Sequence, residues 1–276
     1  MGFLGRLFGK KKESSPKEEN SFNLAFVLLS EARLPSAEDI INNFSAFCQP
    51  DESIHEDFGA GEKSSSEQVL AFQLQSEEKA FVMLMPEPVP NEEADYGAQH
   101  SLSSIGTDWS LPAHSAHLIV TFQSSDTETP IEKLSRFTSF LAAVAKSSES
   151  VGIYWGNAGA THDSKFFITV AGDLSNVCRV MLWSGLSMAR ESDGRLSLLS
   201  LGMKQLNLPN LLLVAPKACE NDALAMFYDM LGYLAERGEP LQEGETVGRT
   251  EQERLPIRYV KSPVDSKEKV WRIELN

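Results

Sequence analysis

The sequence predicts an α+β fold of mainly antiparallel sheets with helices packed on one face. Three observations carry that prediction. Short apolar runs rich in β-branched and aromatic residues recur between clusters of turn residues. Three segments carry apolar residues at helical spacing, each beginning at a capping residue. Neighbouring strands are joined by turns, as antiparallel pairs allow and parallel pairs do not.

In chain order, Asn23–Leu29 (NLAFVLL) reads as a buried strand. Ser36 then caps a helix whose apolar face is Ile40, Ile41, Phe44 and Phe47. Residues 50–66 are polar and acidic and read as a loop. Val69–Leu74 and Ala80–Met85 form a strand pair around the turn 75–79. MPEPVPNEE holds three prolines, which deny the sheet its N–H donors, so irregular chain follows. His117–Phe122 is the next strand.

Thr129-Pro130-Ile131-Glu132 is a helix start with every expected part: an N-cap hydroxyl, a proline at the first position and a glutamate to close a capping box. Ile131, Leu134, Phe137, Leu141 and Val144 form its buried stripe. Val151–Trp155 is a short strand, and Asp163 caps a short helix through Phe166 and Phe167, with a strand over KFFITV as the competing reading. Ser192-Asp193-Gly194 is a hairpin turn between 180–190 and 195–203. Leu211–Val214 is a strand. Asn221 caps the best-formed amphipathic helix, with Leu224, Phe227, Tyr228, Leu231 and Leu234 inward and Gly238 as its stop. Two strands near 257–260 and 269–275 close the chain. This order suggests a body, 21–276, made of two similar α/β sandwich halves, 21–125 and 126–276, behind a tail of residues 1–20.

Composition narrows the function. With 276 residues and 42% hydrophobic content the chain can bury a large core. No run of 18 apolar residues is present, and the basic N-terminus lacks the apolar stretch and cleavage site of a secretory signal. Cys48, Cys178 and Cys219 are scattered, without metal-ligand spacing, and point to reduced thiols in a cytoplasmic protein. Of 25 basic and 39 acidic residues, the tail holds five and three, leaving the body 20 and 36, a net charge of −16. Such a body repels phosphate backbones, so no nucleic-acid partner is expected.

The tail itself reads MGFLGRLFGKKK. Phe3, Leu4, Leu7 and Phe8 share one helical face, and Lys10, Lys11 and Lys12 follow at once. That pairing suits a weak docking segment for a membrane surface or a partner, with a disordered tail and linker over 1–20 as the competing reading, and places the protein in the cytoplasm with peripheral contact at the inner membrane face.

The one polar-aromatic cluster suited to a ligand is VGIYWGNAG with the following His162-Asp163: Trp155, Gly156, Asn157 and His162 are the candidate ligand-binding residues. The competing structural reading makes Trp155 a packed strand end, the glycines turn formers and Asp163 a cap. The glycines fit neither a dinucleotide fingerprint nor a P-loop, and no serine sits in a nucleophile elbow. His114 and His117 are three apart on a strand, so they face opposite sides, and no metal site is expected. No cofactor is implied, and no residue is assigned a catalytic role.

Several stretches carry a resemblance: MLMPEPVP (83–90), HSAHLIVTF (114–122) with VGIYWGNAGATH (151–162), LGMKQLNLP (201–209) and EGETVGRTEQERLPIRY (243–259). In these the chain resembles a bacterial family of uncharacterised proteins, the domain of unknown function 4261 family, over most of residues 22–276. LNLPN (206–210) stands where that family tends to carry an aromatic-Gly-Leu-Pro-Glu pattern. The resemblance implies a cytoplasmic bacterial α+β protein and supplies no catalytic residues. The expectation is therefore a non-catalytic binding or interaction module, immunity-like or accessory, with a protein partner. The alternative is a small-molecule binding protein or weak hydrolase with its site near Trp155–His162.

Overall fold

The structure is a computed structural model that describes residues 23–57, 68–74, 78–123, 128–248, 250 and 252–276. The tail residues Phe3, Leu4, Leu7, Phe8, Lys10, Lys11 and Lys12 lie outside the described residues.

The first sheet has seven strands: β1 (Asn23–Leu29), β2 (Ile54–Glu56), β3 (Val69–Leu74), β4 (Lys79–Met85), β5 (Ala116–Gln123), β6 (Ser150–Trp155) and β7 (Ala160–Asp163). Their spatial order is β2-β3-β4-β5-β1-β6-β7, antiparallel throughout. The second sheet runs β13-β14-β10-β9-β8. It is built from β8 (Gly185–Arg190), β9 (Leu196–Leu201), β10 (Leu211–Ala215), β13 (Arg258–Lys261) and β14 (Lys269–Glu274), and only β10 and β14 run parallel. A small ribbon pairs β11 (Thr246–Val247) with β12 (Leu255–Pro256). The expected α+β class, mainly antiparallel, is the class observed.

The helices are α1 (Ala37–Phe44), α2 (Glu93–Ala98), α3 (Pro130–Lys146), α4 (Ser164–Gly172), α5 (Asn176–Trp183) and α6 (Glu220–Arg237). All but α2 bury side chains in one continuous core shared with one face of each sheet. The strand alternation explains the sharing: Ala25, Val27, Leu118, Val120 and Phe122 point at the helices, while Phe26, Leu28 and Tyr154 point away and meet Val89 and Ala94. A division at 125/126 does not follow the sheets, because the first sheet draws β1–β5 from before that point and β6 and β7 from after it.

The capping predictions translate into geometry. The Ser36 hydroxyl accepts the Asp39 N–H at 3.0 Å. The Glu132 carboxylate accepts the Thr129 N–H at 2.9 Å while Thr129 Oγ1 accepts the Glu132 N–H at 3.4 Å, closing the box. Those hydrogen bonds favour the ionised form and hold Glu132 below the usual carboxylate range. Gly238 ends α6 in the left-handed region.

Four expectations need correction. Val180–Trp183 is the end of α5, not a strand. An apolar run of that length fits either state, and packing decides it, placing Val180 and Trp183 in the core one turn apart. The polar segment 50–66 includes the edge strand β2, held by β3. Helix α6 starts at Glu220 with Cys219 at its N-cap, after the short 3-10 turn Lys217–Cys219, so Asn221 lies inside it. After the prolines, Asn91 and Glu92 take positive φ and the chain re-enters a helix, α2.

Arg179 shows what ties the helices together. It is 2% exposed, and its guanidinium is caged by backbone carbonyls. Nε donates to Asp173 O at 3.1 Å, Nη1 to Ser135 O at 2.9 Å and Nη2 to Phe47 O at 2.8 Å and Ala171 O at 2.7 Å. Nη1 also reaches the Ser135 hydroxyl at 2.7 Å. The planar fork thereby joins the end of the α1 segment, α3, α4 and the start of α5, a geometry that lysine cannot reproduce. Burial lowers the affinity of this guanidinium for its proton, though arginine stays charged near neutrality.

Candidate functional site

The four candidate ligand residues do not share one surface. Trp155 ends β6 at 1% exposure, with the Phe137 ring 5.2 Å away by centroid. Its indole N–H donates to Gln205 Oε1 at 2.9 Å, and Gln205 Nε2 donates to Trp183 O at 2.6 Å and Gly202 O at 2.8 Å. Gly156 and Asn157 are exposed on the 3-10 turn that follows. Gly159 leaves that turn with φ +58, which a glycine tolerates. The turn is pressed against Gly202, where a Cβ would stand 2.7 Å from Ala158 Cα. The cluster is therefore a joint between the two sheets.

His162 lies on β7 and is fully buried. Its Nε2 is 3.1 Å from Leu182 O, and its Nδ1 is 3.0 Å from Ser101 Oγ. A carbonyl only accepts, so Nε2 carries the proton and Nδ1 accepts from the Ser101 hydroxyl. Ser101 in turn accepts the Ser103 N–H at 3.1 Å. Burial pushes the imidazole down to about 4, so it is neutral at physiological pH. A serine next to a histidine invites a nucleophile–base reading, but here both side chains are 0% exposed and the second ring nitrogen meets a carbonyl instead of an orienting carboxylate. Asp163 caps α4, accepting the Phe166 N–H at 2.8 Å.

His117, His100 and His114 are also engaged by backbone, while His55 is exposed on β2. His117 Nδ1 is 2.8 Å from Glu87 O, and burial lowers its pKa. His100 Nδ1 is 3.3 Å from Leu186 O, and His114 Nε2 accepts the Val89 N–H at 3.4 Å. Among the described residues no group of three or more His, Cys, Asp or Glu side chains is placed to hold a metal ion. Cys48, Cys178 and Cys219 are free thiols, and burial raises the pKa of Cys48. No helix among the described residues is long and apolar enough to cross a membrane.

A concave surface that sequence reasoning missed runs along α6. This cleft of about 760 Å³ lies between the helix and the segment 246–248. Met226 and Met230, 4% and 8% exposed, form its floor with Val247, and Tyr233 stands at one end, 49% exposed. Asp222 and Asp229 line the same cleft, and among the described residues neither has an ion-pair partner. The opposite wall is held by the β11–β12 ribbon and by Gly248, where any Cβ would collide with the Glu253 carbonyl. In the segment that leads to the ribbon, the Leu241 carbonyl accepts from Tyr259 Oη at 2.6 Å and Trp271 Nε1 at 3.3 Å. The signal for the cleft was present as a second apolar face on α6, with Met226, Met230 and Tyr233 at 3.6-residue spacing beside the stripe that the sequence assigns to the core.

Two other hollows are electrostatically mixed. One, of about 560 Å³, gathers Glu52, Glu128, Glu132, Arg136 and Arg179, and there Arg136 pairs with Glu78 at 3.1 Å and with Glu128. The other, of about 430 Å³, sets Arg33 and Lys146 beside Glu31 and Glu149.

The fold and the cleft define an α+β protein with an acid-flanked apolar groove on its last helix. Residues 199–274 match the model of the family described as Domain of unknown function (DUF4261), the family that the sequence resembles. That stretch runs from β9 to β14 and holds the whole cleft. No curated protein and no solved structure matches the chain.

Proposed function

We propose that the protein is a non-catalytic interaction module whose α6 cleft receives a basic, apolar-sided segment of a partner protein. The observation that carries the reading is that Asp222 and Asp229 line the same cleft as Met226 and Met230. Seven residues apart on a helix, the two carboxylates sit about 10 Å apart along its axis. A partner helix with Lys or Arg at matching spacing would set its charges on them and its apolar residues on the methionines, whose flexible thioethers adapt to varied side chains. Rim carboxylates of this kind raise association rate and select the sign of the partner, while the apolar floor supplies the contact area. The engaged histidines and the absence of an orienting carboxylate at His162 support binding over chemistry.

The test is a fluorescence anisotropy titration of a labelled Leu/Lys amphipathic helix peptide into the full chain. Charge reversal of the cleft (Asp222→Lys with Asp229→Lys) is expected to weaken binding roughly tenfold or more, with a Leu/Glu peptide silent throughout. Reversal at Glu31 and Glu38, exposed acids outside the cleft, supplies the control for the general negative field. Equal loss in both reversed proteins would remove the cleft from the proposal.

A further inference from the structure

We infer that the uncovered half of the first sheet's outer face is the seat of the chain's own residues 3–8. On that face the register aligns Leu24 with Thr121 and Thr121 with Phe81, and aligns Phe26 with Ile119 and Ile119 with Met83. Paired residues of antiparallel strands point to the same side, so these side chains form one continuous surface across β1, β5 and β4. At the β1 C-terminal end this face is covered: Val89, Ala94 and Leu111 pack on Leu28 and Tyr154. At the other end Leu24, Phe81 and Met83 remain 37%, 36% and 40% exposed. Contiguous exposed apolar side chains on a sheet mark a surface that something covers.

The occupant is argued from where the chain enters. Asn23, the first residue of β1, is adjacent in sequence to Leu24, so the preceding segment reaches the sheet at the bare end of the face. Strand spacing places Phe81 about 10 Å from Leu24. Residues 9–22 separate Phe8 from Asn23 and span roughly 45 Å when extended, so they return residues 3–8 to the patch without strain. A helix over residues 3–8 would set Phe3, Leu4, Leu7 and Phe8 on one face about 9 Å long, which matches the width of the patch. Tethering makes the contact intramolecular, at an effective concentration that a free peptide does not reach. Docked this way, the apolar stripe is held on the body while Lys10–Lys12 stay at its edge.

Limited trypsin digestion of the full chain reads the contact directly, because Arg6 sits inside the stripe and Lys10, Lys11 and Lys12 outside it. Cleavage after Arg6 is expected to be about tenfold slower than after the lysines, since cutting tracks the population of the open form. Leu7→Glu, which leaves the body untouched, and Phe81→Glu, at an exposed site, should each abolish that difference. In the intact chain the Met83 methyl resonance should shift on Leu7→Glu. Equal cleavage at both sites, or a Met83 methyl indifferent to Leu7→Glu, overturns the assignment. So does protection that grows with protein concentration, which would point to a second copy. Protection that requires vesicles containing anionic phospholipid, or that is lost on charge reversal of Asp222 and Asp229 and kept in Phe81→Glu, likewise overturns it.

Discussion

Replacing His162 with glutamine tests the buried-joint description of the loop after β6. In the unfolded chain an imidazole titrates near pH 6.5; in the folded protein burial brings His162 down to about 4. Between these values the unfolded chain binds a proton that the folded chain refuses, so stability rises with pH across that window. Above it His162 adds no pH dependence; as the pH falls through it, stability is lost, by about 3 kcal/mol once below the folded value. Between pH 7 and roughly 5 the loss amounts to about 2 kcal/mol, or several degrees in Tm for a chain of this size. Urea denaturation of the parent and His162→Gln at a series of pH values isolates the effect. His117 and the carboxylates Glu132, Asp173 and Glu274, whose pKa values are also lowered, titrate alike in both proteins and cancel in the difference. The stability difference should shift by about 2 kcal/mol in favour of the variant on acidification over that range. A difference that stays flat would mean that water reaches the ring, and the joint would then be an open site.

Arg179→Met should destabilise by about 3–5 kcal/mol because it strands the carbonyls of Ala171 and Asp173, while Phe47 O keeps the Ser139 hydroxyl, and Arg179→Lys by a smaller amount, both read from denaturant midpoints. Gly202→Ala should cost about 3 kcal/mol, combining a φ of +92 with a Cβ 2.7 Å from Ala158 Cα. Gly194→Ala, with φ +86 in open space, should cost about 1 kcal/mol, and equal effects would refute the close-packed joint. Gln205→Leu leaves the Trp155 indole N–H and the Trp183 carbonyl unpaired and should cost about 2 kcal/mol, with a change in tryptophan fluorescence.

Much of this architecture was legible in order along the chain. Ser36, Thr129-Pro130-Ile131-Glu132, Asp163 and Gly238 each act within one helical turn, and short-range hydrogen bonding needs no tertiary partner to be read. The apolar runs 23–29 and 117–122 likewise announced two strands, while which of their side chains face the helices was left to the packing. Residues 180–183 were not legible, because a four-residue apolar run is compatible with strand and helix alike and the choice lies in what packs on it. For the candidate ligand loop, composition identified a polar-aromatic cluster but not its burial. Trp155 and His162 are sealed by Gln205, Leu182 and Ser101, residues distant in sequence.

By itself, then, the sequence determined the α+β class, the caps, most of the strands, the strongly acidic body and the basic apolar-striped tail, all set by composition or by contacts between near neighbours. Only the tertiary structure decided that Arg179 is a carbonyl-caged cation, that the 155–162 loop is a joint, and that Met226, Met230 and Tyr233 border an acid-flanked cleft. Each of those depends on which distant segments supply partners or an opposite wall, and local periodicity leaves that open even where, as on α6, it shows a second apolar face.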